Sequence, residues 1–236
     1  MKKYEILYDT CREIRSFGQP IKVYRIRALI DFDDVSTGDV GGWISDEKNL
    51  SHDGNCWIYN KAIAFGDSQI LDNAKIYGIS RVFGNSIVSD NARVFHRALV
   101  YGSAKVFGNA IVGNCAKVYD NSEISDSAQI IDSASVYQNA KVKGFSIVSG
   151  VAQICANADI SKNEDLLSFI DISTMLNDTC YTVFKCRDGI TKIKCDDFLG
   201  SRDEFIEFFE SKNPSKSLND RDFKVILNLV DMFESN

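Results

Sequence analysis

The sequence predicts a mainly β fold made of many short strands, each followed by a tight corner. Three observations carry that reading. An aliphatic residue recurs every six positions, a small residue precedes it by two, and the intervening segments are rich in Gly, Asn and Asp and free of proline. The aliphatic series runs Ile58, Ala64, Ile70, Ile76, Val82, Val88, Val94, Val100, Val106, Val112, Val118, Ile124, Ile130, Val136, Val142, Val148, Ile154 and Ile160, and only Ala64 in it is not Val or Ile. The small series runs in step from Cys56 and Ala62 to Ala152 and Ala158, and only Cys56 in it is not Ala or Ser. This period matches neither a helix nor an alternating strand. A β-branched residue with a small inward neighbour two places earlier fits a short strand closed by a sharp turn. Gly66-Asp67, Asp72-Asn73, Gly84-Asn85, Asp90-Asn91, Gly108-Asn109 and Asp120-Asn121 supply the turns, because Gly, Asn and Asp tolerate positive φ. Asn85, Asn121, Asn139 and Asn157 are expected to align as a hydrogen-bonded row along one edge. Pro20 and Pro214 both lie outside the repeat, as required where every backbone N–H pairs between strands.

This pattern resembles the bacterial hexapeptide-repeat family. The resemblance implies a left-handed parallel β-helix with three hexads per triangular coil, hence about six coils here. The handedness comes from the family, since general crossover rules favour the right hand. The block Tyr24-Arg25-Ile26-Arg27-Ala28-Leu29, then Gly38-Asp39-Val40-Gly41-Gly42-Trp43-Ile44, then Asn49-Leu50-Ser51 resembles hexapeptide-repeat proteins of bacteria and their prophages, often labelled acetyltransferases on fold alone. The likeness covers most of residues 4–160.

Three segments follow from this reading. Residues 1–55 hold an N-terminal β hairpin cap and irregular first coils. Ile21 to Ile30 alternates like a strand, Tyr4 to Leu7 is its expected partner, and Gly18-Gln19-Pro20 marks the turn. Ile44 and Leu50 start the first coil, and the eight residues from Leu50 to Ile58 require a corner two residues longer, holding His52 and Asp53. Residues 56–162 are the β-helix. Residues 163–236 form a small α+β cap. There Thr182–Cys186 and Thr191–Cys195 read as a hairpin around Asp188-Gly189, with Phe184, Cys186, Ile193 and Cys195 on one face. Ser201-Arg202-Asp203-Glu204 is a capping box opening a helix with Phe205, Phe208 and Phe209. A second helix runs from about Asn219, after Pro214, to Phe233, with Phe223, Ile226, Leu227, Val230 and Phe233 as its apolar stripe. The cap is expected to cover strand edges that would otherwise invite aggregation.

Composition bounds the function. Of 236 residues, 27 are Lys or Arg and 33 are Asp or Glu, for a net charge of −6. Residues 1–162 carry 18 basic and 18 acidic groups and residues 163–236 carry 9 and 15, so the acidity belongs to the cap. Lys75, Arg81, Arg93, Lys105, Lys117 and Lys141 spread over all three faces, so nucleic-acid binding is not expected. No apolar run reaches about 18 residues, and Met1 to Asp9 does not read as a signal peptide, so no membrane partner is expected. The seven cysteines, Cys11, Cys56, Cys115, Cys155, Cys180, Cys186 and Cys195, show no CxxC spacing and read as free thiols of a cytoplasmic protein. Two histidines exclude a single-chain site of three imidazoles, and no P-loop, dinucleotide fingerprint or nucleophile elbow occurs. No metal and no cofactor is expected.

Two sets of candidate residues remain. Acyltransferases with this repeat place a His as general base near a corner, which nominates His96, at a corner position, and His52, in the longer corner. The simpler reading of His96 is a corner residue tolerating positive φ, and the register from Ile58 to Ile160 has no inserted loop of the kind that covers acyl-CoA. The second set is aromatic. Read every eighteen residues, Phe65, Phe83, Tyr101, Tyr119, Tyr137 and Cys155 form one outward row, and Tyr59, Tyr77 and Phe95, with Trp57, form another surface. Such rows stabilise stacked coils and offer a flat contact face. The leading expectation is therefore a non-enzymatic β-helical scaffold that forms a homo-oligomer, a dimer or trimer, and binds a protein partner, as a phage or prophage accessory or host-defence-interfering factor. The alternative is an acyltransferase of the family, with acetyl-CoA as cosubstrate.

Overall fold

The six-residue period becomes a coil. In the computed structural model, which describes residues 1–16, 18–170, 180–212 and 221–235, Arg93-Val94 pairs in parallel with Lys75-Ile76 on one side and Ile111-Val112 on the other. The same eighteen-residue register holds on all three faces. Strand N–H groups donate to carbonyls of the next coil, as Lys75 does to Ala92 (3.0 Å) and Tyr77 to Val94 (2.8 Å).

The first face belongs to a nine-stranded sheet. Strands Tyr4–Ser16 and Gln19–Ala28 form an antiparallel hairpin that leads into Val40–Ile44 and then six repeat strands ending at Gln153–Ile154. The second face runs from Trp57–Ile58 to Ile147–Val148 and the third from Gln69–Ile70 to Asp159–Ile160, with six strands each. The first face has seven parallel strands: besides the six of the regular repeat, Trp43-Ile44 pairs in parallel with Ile63-Ala64, in the irregular first coil that starts at Ile44. Ile44 to Ala64 and Leu50 to Ile70 are each twenty residues apart, whereas Trp57 to Lys75 is eighteen. The two extra residues lie between Leu50 and Ile58, where the spacing puts them.

Corner chemistry follows from backbone geometry. Every sixth residue from Gly54 to Ala156 has φ between 54° and 73°. Gly, Asn and Asp fill most of these sites, and His96, Gln138 and Ala156 are the exceptions. Close approach adds to the demand for glycine: a Cβ on Gly102 would lie 2.7 Å from the Asp120 backbone nitrogen. Aspartate stabilises a corner in a second way. The carboxylates of Asp90, Asp126 and Asp132 accept from the N–H groups of Gly108 (2.8 Å), Gly144 (2.9 Å) and Gly150 (3.0 Å), each one coil further on. Side chains Asn73, Asn91 and Asn109 form a ladder at 3.2 Å per step, and Asn121 donates to Asn139 at 3.4 Å.

The interior is a column of the aliphatic and small residues, all buried. Ala and Ser exchange freely at the small position because the Ser hydroxyl turns back onto a carbonyl three residues earlier, as Ser86 Oγ does to Phe83 O (2.9 Å). Two polar residues fix the ends. Asn49 is fully buried; its Oδ1 accepts from Ser45 N–H (3.2 Å), Ser45 Oγ (2.9 Å) and Asp46 N–H (3.0 Å), and its Nδ2 donates to Gly66 O and Ser68 O, both at 2.9 Å. After the last coil, Asp165 accepts in the same way from Ser161 N–H (2.9 Å), Ser161 Oγ (3.0 Å) and Lys162 N–H (3.1 Å).

The C-terminal part is a four-stranded antiparallel sheet, Leu166–Ile170, Cys180–Lys185, Thr191–Cys195 and Phe198–Gly200, rather than a lone hairpin. Helices α1 (Arg202–Lys212) and α2 (Arg221–Glu234) pack on it. The expected capping box is present: Glu204 N–H donates to Ser201 Oγ (3.3 Å) and Ser201 N–H to Glu204 Oε2 (2.7 Å). Pro214 and Asn219 lie outside the described residues. The predicted hairpin face needs correction. Val183 pairs with Ile193 and Tyr181 with Cys195, so odd-numbered residues of the two strands share a face. That face packs on Phe205, Phe209, Phe223, Ile226, Val230 and Phe233, while Phe184 and Cys186 join the β-helix core. The sheet thus plugs the open end. Gln153 N–H donates to Thr182 Oγ1 (3.1 Å) and Arg187 N–H to Asn157 O (3.2 Å). No described helix is long and apolar enough to cross a membrane.

Two stability changes are expected in chemical denaturation. Ala156→Gly relieves a left-handed alanine and stabilises by about 0.5–1 kcal/mol after the entropy cost of glycine. Asn49→Leu strands five hydrogen-bond partners and destabilises by about 2–3 kcal/mol.

Candidate functional site

His96 sits on the edge between the second and first faces, exposed, at φ 58°. Its tautomer follows from the far end of a short hydrogen-bond chain. A carboxylate only accepts, so Asn114 turns Nδ2 toward Asp132 Oδ1 (3.0 Å) and Oδ1 toward His96 Nδ1 (2.9 Å). The amide oxygen only accepts, so His96 Nδ1 carries the hydrogen and Nε2 keeps its lone pair. Among the described residues none donates to Nε2. The Phe95 ring meets the imidazole edge-on at 4.8 Å. Phe95 itself is seated over Gly113, where a Cβ would come within 2.6 Å of the ring. One nitrogen is therefore oriented and the other open, as a general base requires. Asp132 also accepts from Gly150, which holds its carboxylate in line.

Charge gathers on the first-face side of this edge. Lys61 and Arg97 follow the corners of their coils, and Arg81 and Lys117 stand on first-face strands of the flanking coils. The outward residues of that face, from Ile63 and Phe65 through Arg81, Phe83, Leu99, Tyr101, Lys117, Tyr119, Ser135 and Tyr137 to Gln153 and Cys155, include no carboxylate.

His52 is occupied on both nitrogens. Lys3 N–H donates to Nδ1 (3.1 Å), so Nε2 carries the hydrogen and donates to Glu47 Oε1 (2.9 Å), and the ring stacks on Tyr4 at 4.3 Å. Lys2 also binds Glu47 (2.7 Å); this contact, then that of His52, holds the carboxyl below its ordinary range. His52 is a bracket for the N-terminal strand, with no free base nitrogen.

The aromatic rows form as expected. Phe65, Phe83, Tyr101, Tyr119 and Tyr137 stack with centroids 4.8–5.0 Å apart and planes within 3° of parallel. Burial in the row pushes the Tyr119 phenol up to about 12. Phe65 is not at the surface, however: Ile14 and Val23 of the hairpin bury it, and Cys155 at the other end is buried too. Phe83, Tyr101, Tyr119 and Tyr137 remain half-buried. Trp57 is also withdrawn from any contact face, being 2% exposed beneath Tyr4 and Phe32. The hairpin and the 31–38 turn fold over the first coil, which spacing within the repeat does not encode. Tyr59 stacks on Tyr77 at 4.5 Å and donates to Asp34 Oδ1 (2.6 Å). Lys75 completes this cluster, reaching Asp33 Oδ2 (2.6 Å), Asp34 Oδ1 (2.7 Å) and Tyr59 OH (2.7 Å). Burial works against the Lys75 charge, but the two carboxylates win and raise its pKa.

Cys180 and Cys195 lie on opposite faces of the cap sheet, and no group of three or more metal-ligating side chains occurs among the described residues. Parallel coils of eighteen residues with aliphatic and small residues at fixed places now stand established. The fold is a parallel β-helix built on a six-residue repeat. No protein-family model matches the chain. Over 98 residues it is 38% identical to a protein of Escherichia coli (strain K12) named "Uncharacterized acetyltransferase YdcK", a match covering 38% of this chain and 29% of that protein. The match thus spans less than a third of the length of that relative. Asn114 and Asp132 escape a reading of His96 alone, although they stand eighteen and thirty-six residues beyond it in the same corner column.

Lys75→Met is expected to lower stability by about 1–2 kcal/mol in denaturant titrations, since it frees two carboxylates and a phenol of their cation. The Lys75 hydrogen bond, then that of Tyr59, holds the Asp34 carboxyl below its ordinary range. Its contribution is complete above the unfolded carboxylate pKa and is lost as pH falls below about 4. The gap in melting temperature between wild type and Lys75→Met should therefore close in acid.

Proposed function

We propose that this chain transfers an acyl group from a coenzyme A thioester to an amine or hydroxyl acceptor, with His96 Nε2 as general base. The observation that carries the reading is the His96–Asn114–Asp132 chain, which leaves an oriented lone pair at an exposed edge. The 98-residue likeness to a protein named an acetyltransferase supports the same class. Nε2 takes the acceptor's proton as its nitrogen or oxygen attacks the thioester carbonyl. The carbon–sulfur bond breaks, and the proton passes to the departing thiolate. Asn114, itself held by Asp132, keeps the imidazole in one orientation while the proton is carried. Lys61, Arg81, Arg97 and Lys117 suit the phosphates of the donor. The substrate, the cytoplasmic setting and any homo-oligomer belong to this proposal.

A scaffold that binds a protein partner is the second reading, favoured by the half-buried row Phe83, Tyr101, Tyr119 and Tyr137. Turnover of acetyl-CoA with a panel of amines and hydroxyl compounds separates the two. His96→Ala should lose about 10²–10⁴-fold in kcat/KM. Asn114→Leu should lower kcat with little change in KM, and Lys117→Glu should raise KM. A wild-type protein that neither turns over acetyl-CoA nor shifts its melting temperature with it would refute the enzyme reading.

A further inference from the structure

A lysine and a cysteine meet at the start of the β-helix in a way the fold alone does not require. Lys3 and Cys56 are both buried, at 1% and 0% exposure. Lys3 Nζ donates to Cys56 O (3.0 Å), Gly54 O (3.1 Å) and Asp53 O (3.4 Å), and it lies 3.4 Å from Cys56 Sγ. Among the described residues no carboxylate makes an ion pair with this ammonium, and the Phe32 ring lies beside it, with the centroid at 5.1 Å. A buried ammonium without a counter-ion is costly, and shedding its proton is the usual relief. Burial accordingly lowers the Lys3 pKa, and burial raises that of the Cys56 thiol. Both shifts favour the uncharged partners while the three carbonyls around Nζ suit the ammonium, so a proton can pass between sulfur and nitrogen across their 3.4 Å contact. The loop residues Asp53, Gly54 and Asn55 beside Cys56 are exposed, which puts the site one layer below solvent.

We propose that Cys56 and Lys3 are a modification site for hydroperoxides, forming a reversible sulfur–nitrogen cross-link. The thiol passes its proton to the Lys3 amine and the thiolate attacks hydrogen peroxide: a sulfur–oxygen bond forms, the oxygen–oxygen bond breaks, and the departing hydroxide takes the proton back from Lys3 and leaves as water, giving the sulfenic acid beside a neutral amine. The Lys3 nitrogen then attacks sulfur. A sulfur–nitrogen bond forms, the sulfur–oxygen bond breaks, and the departing hydroxide takes a proton from nitrogen as a second water. Sulfur is oxidised by two electrons, peroxide is reduced to two waters, and the pair loses two hydrogens. An added dithiol reverses the link by attack at sulfur, with the proton returning to nitrogen and the dithiol ending as its own disulfide. The bond joins residues 53 apart in sequence and ties the hairpin to the first coil, which restrains the unfolded chain as a disulfide does.

The full chain is treated with hydrogen peroxide, digested and mapped by mass spectrometry. The expected product is a peptide pair joined through Lys3 and Cys56, lighter than the separate peptides by two hydrogens and released by dithiothreitol. The exposed Cys11 and Cys115 should gain oxygen instead. Lys3→Met keeps the bulk and removes the nucleophile, so its Cys56 should carry oxygen adducts and no cross-link. A wild-type protein whose Cys56 acquires only oxygen, or stays alkylatable after unfolding while Cys11 is consumed, would overturn the proposal. Because the wild-type map alone decides, a poorly folded variant does not blunt the test.

Discussion

Each coil gives its backbone hydrogens to the coil below, and that constraint governs the rest of the molecule. The donors reach carbonyls seventeen residues onward, so a coil must close in eighteen residues and three equal sides. Three sides need three sharp corners, and each corner puts one residue into left-handed backbone space. Proline cannot enter without breaking the ladder, and large residues cannot enter a prism whose interior is filled by one aliphatic and one small residue per side. Where the side chain at a corner can bond to the next corner, the demand becomes an asset, which is why aspartate is so frequent there.

A ladder of this kind has two raw ends, and the protein treats them differently. At the beginning, the hairpin, the 31–38 turn and the long corner bury Trp57 and Phe65 and pin themselves with lysines. Lys3 reaches into carbonyls of the corner, and Lys75 reaches out to Asp33 and Asp34. At the end, an antiparallel sheet lays Phe184 and Cys186 on the core and turns its other face to two helices. Asn49 and Asp165 perform one task at opposite ends, gathering the free N–H groups of a chain reversal onto a single oxygen. Two unrelated segments meet the same need because unpaired backbone groups are costly wherever they fall.

The repeat also decides how side chains meet. Residues eighteen apart stand about 4.8 Å from one another, the spacing of neighbouring strands. Aromatic rings at that spacing stack, and amides link into ladders. A histidine, an asparagine and an aspartate in succession become a hydrogen-bonded chain that orients the imidazole. His96, Asn114 and Asp132 need no loop or pocket to align them; the corner column does so. His52 shows the contrast. It lies in the irregular corner, and the N-terminal strand takes up both of its nitrogens.

Local periodicity was legible in the chain itself. The strands, the positive-φ corners, the buried column, the stacked aromatic row and the capping box before α1 all follow from spacing and residue type, because each depends on neighbours at a fixed separation. The long corner between Leu50 and Ile58 was legible for the same reason. Contacts made by segments outside the repeat were not. Nothing in the spacing of Trp57 or Phe65 says that a hairpin will cover them, and the parity of the cap strands turns on a pairing register set by the turn and by two packed helices. Lys75 reads as one more lysine on the outer faces of the repeat, and spacing does not single out Lys3, until the N-terminal segment folds over the first coil and takes both out of water. The sequence by itself determined the coil, since hydrogen bonding between successive turns is a periodic requirement. Only the tertiary structure decided which parts of the coil remain open to other molecules, since that depends on how non-repeating segments pack against it.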